Sequence, residues 1–581
     1  MKISLPALVV PPSGGRFFGF RLKAELRTAA LILPLAAFAA SSPKPLPPVP
    51  LDGLIQERLS IPARDGTTLA GWVIRPDRPG KFPAIFEQRH ADITAPSLRR
   101  AAAAVASSGY AVAMVNWRGT HDSTGRFISF RGLGWGEVRD GYDICEWLAV
   151  QPWCTGAVGT YGGSQGGYAQ NYLAPTRPPH LRAQYIVDTG LSFFHDGYRV
   201  GGTTRPRKYR AQGEASGSVA DNERLLAERD AHPNYDEFWH LEAASRRFAD
   251  MNVPAFITGS WFDFLVDATI RTWIGRQHHG GPNSRGKQQL LLGPWLHGRL
   301  NKSFKTGQLV FPEHAAWPES AHMIRWFDYW LKAVDNHITD DAPVRYFVMG
   351  ASGEPGAPGH VWREARDWPV PATATRLHLH ADGKLADPAP GAKASGTTVH
   401  ADPLNPVPLR TPRSLTATDV QEFEKEKDVR TWTTAPLAAP VEWTGQINAE
   451  IWLSSTAPDT DLILRVSDVY PDGRSMLLME FPVRARYRAG WDRQVMLTPG
   501  EPALLKTHVG WTSMIFNRGH RIRLTISSTG APFFEPNNQA GGPQTHDWLN
   551  HARPADHTIW HDATRPSCLI VPLAPSTTSS R

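Results

Sequence analysis

Cysteine is scarce, with only Cys145, Cys154 and Cys568 in 581 residues. Three scattered thiols are not a disulfide framework, so stability has to come from hydrophobic cores. All three are expected to be buried packing residues, a Cys145–Cys154 bridge being the alternative. Charge is also thin, at 20% of residues with a net +7. Its basic members are scattered instead of forming a stripe, which argues against nucleic acid as a partner. No H-E-x-x-H occurs, and His278-His279 lies in a polar, Gly-rich stretch without a matched ligand pair, so metal-dependent hydrolysis is not indicated. No P-loop and no G-x-G-x-x-G in suitable context occurs either, so neither a nucleotide cofactor nor a metal is expected. No internal repeat of fixed period is present.

Glycine and proline are plentiful at 50 each, and hydrophobic residues make up 41% of the chain. That composition is globular, and the length calls for two or three domains. The large aromatics, 21 Trp and 24 Phe, are expected mostly in cores.

Residues 1–27 carry Lys2, Arg16, Arg21, Lys23 and Arg27 against Glu25, and Thr28 to Ala40 then run largely apolar. The run is shorter than the ~20 apolar residues of a membrane span. With the small-x-small triplet Ala37-Phe38-Ala39 it reads as a signal peptide over 1–39, cleaved after Ala39. This predicts a periplasmic or secreted protein with no stable membrane span after cleavage. A Pro-rich linker follows over 40–52.

Two apolar runs around Asp65-Gly66 predict a hairpin, because this dipeptide supplies the positive backbone angles of a tight turn. Phe82 to Glu87 reads as a buried strand, Ala101 to Ser108 as a helix, and Tyr110 to Val115 as a strand covered on both faces. Glu137–Val150, Ala157–Tyr161 and Gly166–Leu173 repeat the helix, strand, helix rhythm, which implies a parallel sheet. The rhythm breaks from 188 to 250, read as a helical cap, and resumes with Pro254-Ala-Phe-Ile-Thr and Gln289-Leu-Leu-Leu-Gly. Residues 53–187 and 251–370 therefore form an α/β catalytic domain. From 371 to 581 short alternating segments between Gly, Pro and Asp turns predict an all-β jelly roll.

Gly162-Gly163-Ser164-Gln165-Gly166 matches G-x-S-x-G between a predicted strand and a predicted helix, the context of a nucleophile elbow. A serine needs a base and an orienting acid, in this class downstream in the order Ser, acid, His. Asp263 in Gly-Ser-Trp-Phe-Asp and His297 in Gly-Pro-Trp-Leu-His each follow an apolar strand, so Ser164, Asp263 and His297 form the candidate triad. The Gln165 N–H is one expected oxyanion donor, and the second should come from Gln88 to Asp92. Trp261, Phe264 and Leu265, which flank the acid, are the candidates for substrate contact.

These motifs are similar to those of the CocE/NonD serine hydrolases, the superfamily of cocaine esterase, Xaa-Pro dipeptidyl-peptidase, α-amino-acid ester hydrolase and glutaryl acylase. The resemblance rests on Ile61-Pro-Ala-Arg-Asp-Gly-Thr-Thr-Leu69, Arg118-Gly119 with Ser123-Thr-Gly125, Gln151 to Gly159, the elbow, and the acid and base motifs. In the last third it rests on Asp459-Thr-Asp461, Asp468-Val-Tyr-Pro-Asp-Gly473 and Gly519-His-Arg-Ile-Arg523. It implies an α/β-hydrolase core with a helical cap and a C-terminal jelly roll, cleaving a small-molecule ester or amide through an acyl-enzyme. Dipeptidyl-peptidase-like or acylase activity is the nearest alternative, and a homo-oligomer is compatible. Where family members commonly carry an oxyanion Tyr, this chain has Arg89-His90-Ala91, so His90 or a backbone group takes that place. Asn116 stands where the family has Asp before Arg-Gly. Only Asp196 lies near the region where the amino-acid ester hydrolases hold the substrate ammonium. A reading of another class is a catalytically weak binding protein with a carbohydrate-binding jelly roll displaying residues such as Trp432 or Trp452; the strand alternation places them equally well in a core, with the jelly roll as lid and support.

Overall fold

The computed structural model describes residues 46, 48–298, 305–407, 417–543 and 548–575. The expected signal peptide and the start of the linker lie outside the described residues. β1 (Leu54–Pro62) and β2 (Thr68–Pro76) pair antiparallel across a turn where Gly66 has φ +83°. There follow β3 (Phe82–Arg89), α1 (Pro96–Ala106), β4 (Ala111–Asn116), α2 (Asp140–Ala149), β5 (Cys154–Ser164), α3 (Gln165–Leu173) and β6 (Leu181–Thr189). After an insertion come β7 (Ala255–Ser260), α7 (Val266–His279), β8 (Gln289–Gly293), a two-residue ribbon β9 (Lys305–Thr306) with β10 (Leu309–Val310), α8 (Glu319–Lys332), β11 (Val344–Val348) and β12 (Val361–Ala365). The insertion holds α4 (Pro206–Ser216), α5 (Val219–Ala231) and the single turn α6 (Glu237–His240).

The ten-stranded sheet runs β1-β2-β4-β3-β5-β6-β7-β8-β11-β12, parallel from β4 to β11. Alternate residues of one strand serve opposite layers, which is why β4 is apolar at almost every position. Val112 and Met114 pack with Ala102 and Ala106 of α1 and Met323 and Phe327 of α8, while Ala113 and Val115 pack with Ile144 and Leu148 of α2. β6 extends to Thr189, so Asp188 ends a sheet strand instead of opening the cap as its expected boundary placed it.

The C-terminal part consists of β13 (Thr373–Leu379), β14 (Leu385–Ala386), β15 (Gly396–Ala401), β16 (Val429–Thr433), β17 (Val441–Ser455), β18 (Asp461–Val469), β19 (Ser475–Arg484), β20 (Ala503–Phe516), β21 (Arg521–Ser527), β22 (Ala555–Asp562), β23 (Arg565–Pro566) and β24 (Cys568–Leu573). One sheet runs β14-β13-β24-β17-β22-β15 with β20 also on β17, and the second runs β16-β21-β18-β19. On β17 every second residue, Ile447, Ala449, Ile451 and Leu453, is buried in a core shared with Leu462, Leu464 and Val466 of β18. Trp432 is only 1% exposed in that core, and Trp452 is half-buried on β17 beside Trp560 of β22. Neither forms the open aromatic platform that the carbohydrate-binding reading requires. Cys145, Cys154 and Cys568 are all buried and free, so the Cys145–Cys154 bridge does not form.

The β-domain docks through β20 onto β11 and α7 of the hydrolase part, where the Met349 N–H donates to the Ser513 carbonyl at 2.9 Å. Trp368 and Trp511 lie with ring centroids 6.2 Å apart, and Arg363 reaches Glu442 at 2.6 Å.

Candidate active site

The elbow follows from the lack of room around it. A Cβ on Gly162 would stand 3.0 Å from Glu87 Cγ, on Gly163 3.1 Å from the Val187 carbonyl oxygen, on Gly166 2.9 Å from Glu87 Oε1, and on Gly167 2.8 Å from Thr189 Cβ. A side chain at any of the four would press on Glu87, Val187 or Thr189 beside the turn. Ser164 itself has φ +55° and ψ −114°, a conformation costing an L-residue ~1–3 kcal/mol. The strain is what projects the side chain of a β5-to-α3 turn away from the sheet. Glu87, wedged under the turn, was not singled out by the sequence reading. Burial raises its carboxyl pKa, against which Arg89 at 3.4 Å acts.

Asp263 and His297 meet because the turns after β7 and β8 are joined. The Trp261 N–H donates to the Gly293 carbonyl at 2.8 Å and the Phe262 N–H to the Trp295 carbonyl at 3.2 Å. His297 Nδ1 then lies 2.8 Å from Asp263 Oδ1, and the Asp263 carboxylate is fully buried. Burial opposes protonation of His297, but the charge of Asp263, the hydrogen bond to it and the charge of Asp188 outweigh burial and carry its pKa up to about 9.

Asp188 is a third member of this cluster that the motif search missed, since the sequence reading assigned it to the cap. It sits at the end of β6 with φ +43°, fully buried. Its Oδ2 accepts from the Gly298 N–H at 2.7 Å and from the Ser260 hydroxyl at 3.2 Å, while Oδ1 has no hydrogen-bond partner. Burial raises its pKa, and Asp263 adds to the rise. Ligand-type atoms of Asp188, Asp263 and His297 all lie within 4.8 Å of one another. The Asp263–His297 bond and the Gly298 N–H already engage them, which fits a hydrogen-bonded relay better than a metal cage.

Ser164 opens into a cavity of about 390 Å³ whose walls include His90, Phe130, Tyr168, Phe193, Asp196, Tyr209 and Leu265. His297 and Asp263 line a neighbouring cavity of about 820 Å³, bounded by Trp261, Arg205 and, from the β-domain, Leu478 to Phe481 and His508 to Trp511. Phe264 and Lys208 belong to both walls. Phe264 is 45% exposed and lies against the His297 ring, centroids 4.8 Å apart and planes 30° apart. Ser164 and His297 share one rim of the sheet, and no hydrogen bond joins them with Phe264 in this position. Trp261 is buried, its indole N–H given to the Phe347 carbonyl at 2.9 Å, so only a ring surface is left for the cavity.

At the expected oxyanion loop, the His90 N–H donates to Gln165 Oε1 at 2.9 Å and the Ala91 N–H reaches the same oxygen at 3.3 Å. The His90 ring packs edge-on against Trp117 with centroids 5.0 Å apart, and its Nδ1 is buried without a partner. Burial, with Arg89 adding to it, lowers the His90 pKa to about 3, so the ring is neutral at any working pH. Asn116 explains its own departure from the family pattern. Its Nδ2 donates to the Arg89 carbonyl at 3.2 Å and the Ala91 carbonyl at 2.9 Å, which an aspartate cannot do. Asp196 faces the Ser164 cavity with Oδ2 held by the Leu191 and Ser192 N–H groups at 2.8 and 2.7 Å, and burial raises its pKa to about 6.

A parallel sheet with a strained serine after β5, an acid after β7 and a histidine after β8, followed by a β-sandwich, defines an α/β-hydrolase with a C-terminal jelly roll. The family model of the X-Pro dipeptidyl-peptidase (S15 family) matches residues 65–228 and 203–299, and that of the X-Pro dipeptidyl-peptidase C-terminal non-catalytic domain matches 336–570. The chain belongs to this family of CocE/NonD serine hydrolases, and it is an enzyme. It is 27% identical to cocaine esterase of Rhodococcus sp. (strain MB1 Bresler), over 89% of this chain and 98% of that protein. Its fold is similar to that of an α-amino acid ester hydrolase (TM-score 0.79, 20% identity, 94% of this chain and 100% of the other). It is also similar to that of an aminopeptidase from a marine sediment Thaumarchaeota archaeon (TM-score 0.78, 22% identity, 92% and 99%).

Proposed function

We propose that the protein hydrolyses carboxylic esters, and amides more slowly, through an acyl-enzyme on Ser164. The Asp263–His297 pair carries this reading: a buried carboxylate fixes the imidazole by Nδ1 at 2.8 Å, leaving Nε2 to take the serine proton. Rotation of Phe264 away from His297 joins the two cavities and lets the imidazole meet the hydroxyl. Apo enzymes often tighten such contacts only with substrate bound. The hydroxyl attacks the acyl carbon, and the oxyanion takes hydrogen bonds from the Gln165 N–H and from His90. His90 is kept neutral, with its Nδ1 buried, so Nε2 is the ring nitrogen left to serve the cavity. His297 then protonates the leaving group, and water repeats the sequence to free the acid and Ser164. Trp261, Phe264 and Leu265 supply apolar contact. The cocaine esterase relative favours an ester over a peptide substrate.

The test is covalent trapping. A fluorophosphonate should label Ser164, and p-nitrophenyl ester turnover should fall by at least about a thousandfold in Ser164→Ala. Turnover surviving that substitution would refute the assignment.

No helix among the described residues is long and apolar enough to cross a membrane. The basic stretch, the apolar run and the Ala37-Phe38-Ala39 triplet of residues 1–39 support a signal peptide cleaved after Ala39, and with it a periplasmic or secreted enzyme.

A further inference from the structure

Two basic side chains that make no ion pair with a described residue line the larger cavity, and one of them also borders the smaller. Arg205 is only 6% exposed, lines the larger cavity and has a buried Nη1 with no hydrogen-bond partner. Its guanidinium lies over two rings, Cζ 4.7 Å from the Phe534 centroid and 5.7 Å from that of Phe264. Lys208, three residues further on in α4, points its ammonium to within 4.8 Å of the Phe264 centroid and borders both cavities. Neither makes an ion pair with any described residue.

The acids around them are directed elsewhere without being saturated. Glu480 gives one oxygen to Arg465 at 2.6 Å and Asp263 one to His297, each leaving its second oxygen buried without a hydrogen-bond partner, and Glu535 holds Arg207 at 3.1 Å. Asp267 accepts from the Trp511 indole N–H at 2.9 Å and pairs with Arg271 at 3.4 Å, while Asp196 is capped by backbone N–H groups. A buried guanidinium is costly unless something pairs with it. Stacking on Phe534 and Phe264 satisfies its faces but not its N–H edge, and that edge is what a carboxylate engages. The remaining wall, from Trp261 to Leu478, Phe481 and Phe533, is apolar.

We infer that Arg205 and Lys208 form a recognition site for a carboxylate carried by the substrate, so that the enzyme prefers esters or amides of which one half is an acid. This rests on the serine-hydrolase reading above and narrows it. The carboxylate can belong to the acyl half, as in a dicarboxylic monoester, or to the leaving group.

The experiment compares kcat/KM in two matched pairs. For the acyl side these are mono-p-nitrophenyl glutarate and p-nitrophenyl pentanoate, and for the leaving group 3-carboxyphenyl and 3-carbamoylphenyl butyrate. In the wild type the carboxylate should be favoured about tenfold or more in at least one pair, the worth of one charge-assisted hydrogen bond. That ratio should fall at least about fivefold in Arg205→Met or in the more exposed Lys208→Met, and Arg205→Lys should restore part of it. No carboxylate preference in either pair, or a preference untouched by both Met variants, overturns the inference. Loss of the underlying chemistry would appear instead in the neutral esters and in failed fluorophosphonate labelling, so the two failures are distinguishable.

Discussion

The side chain of Gln165 is tied to the backbone of His90: Gln165 Oε1 accepts the His90 N–H at 2.9 Å. The residue after the nucleophile thus holds the β3 loop in place while its own N–H remains free for an oxyanion. Gln165→Ala should leave fluorophosphonate labelling possible but lower kcat about tenfold, with KM little changed, because an untethered loop aims its donor poorly. A variant with wild-type kcat would remove His90 from the oxyanion site.

As the proposed general base, His297 works only as neutral imidazole, so its raised pKa should make activity an alkaline function. kcat/KM for a neutral ester should climb with pH to a midpoint near 9, well above the ordinary 6.5 of histidine. Asp188→Asn keeps a side chain that tolerates φ +43° and removes one negative charge beside the ring. The midpoint should therefore move toward acid. An unmoved midpoint in a pH–rate profile would show that Asp188 only braces the loop through Gly298.

Phe264 belongs to the walls of both the Ser164 cavity and the His297 cavity. Because it is 45% exposed, Phe264→Ala should fold normally and join the cavities of about 390 and 820 Å³. Selectivity should shift toward bulky aryl esters relative to acetates, read as a ratio of kcat/KM values. A ratio equal to that of the wild type would mean that the ring does not separate the cavities in solution.

Around the elbow, packing leaves little freedom. Gly167→Ala drives a methyl to within 2.8 Å of Thr189 Cβ and should cost ~1–3 kcal/mol, seen as a lower Tm with reduced labelling of Ser164. An unchanged Tm would show that α3 can slide on β6.

Asn116→Asp tests a departure from the family. It sets a carboxylate against the Arg89 and Ala91 carbonyls and should destabilise the β3 loop by ~1–3 kcal/mol. Wild-type thermal stability and kcat would refute that role.

The α/β order was legible because apolar strands alternate with amphipathic helices, and strand-then-turn context is also what singled out the candidate elbow, acid and base: glycines crowd Ser164, and apolar strands end just before Asp263 and His297. The family motifs of the last third are structural. Asp459 holds Arg486 and Asp461 holds Arg484, each at 2.7 Å, and Asp468 lies 2.8 Å from the His520 ring. Asp188 and Glu87 stayed hidden because each is a lone acid inside an apolar strand, and only the sheet order brings them beneath the site. Arg205 was equally silent in a charged stretch, since a missing counter-ion is a property of three-dimensional surroundings. Core and displayed positions stayed open for Trp432 because alternation alone does not say which side of a strand meets the other sheet.

The stretches Leu478–Phe481 and His508–Trp511 wall the larger cavity from a domain that holds none of the proton-transferring groups. If that cavity takes the substrate, exchanging residues in these two stretches should retune which molecules are admitted while leaving the Asp263–His297 pair untouched.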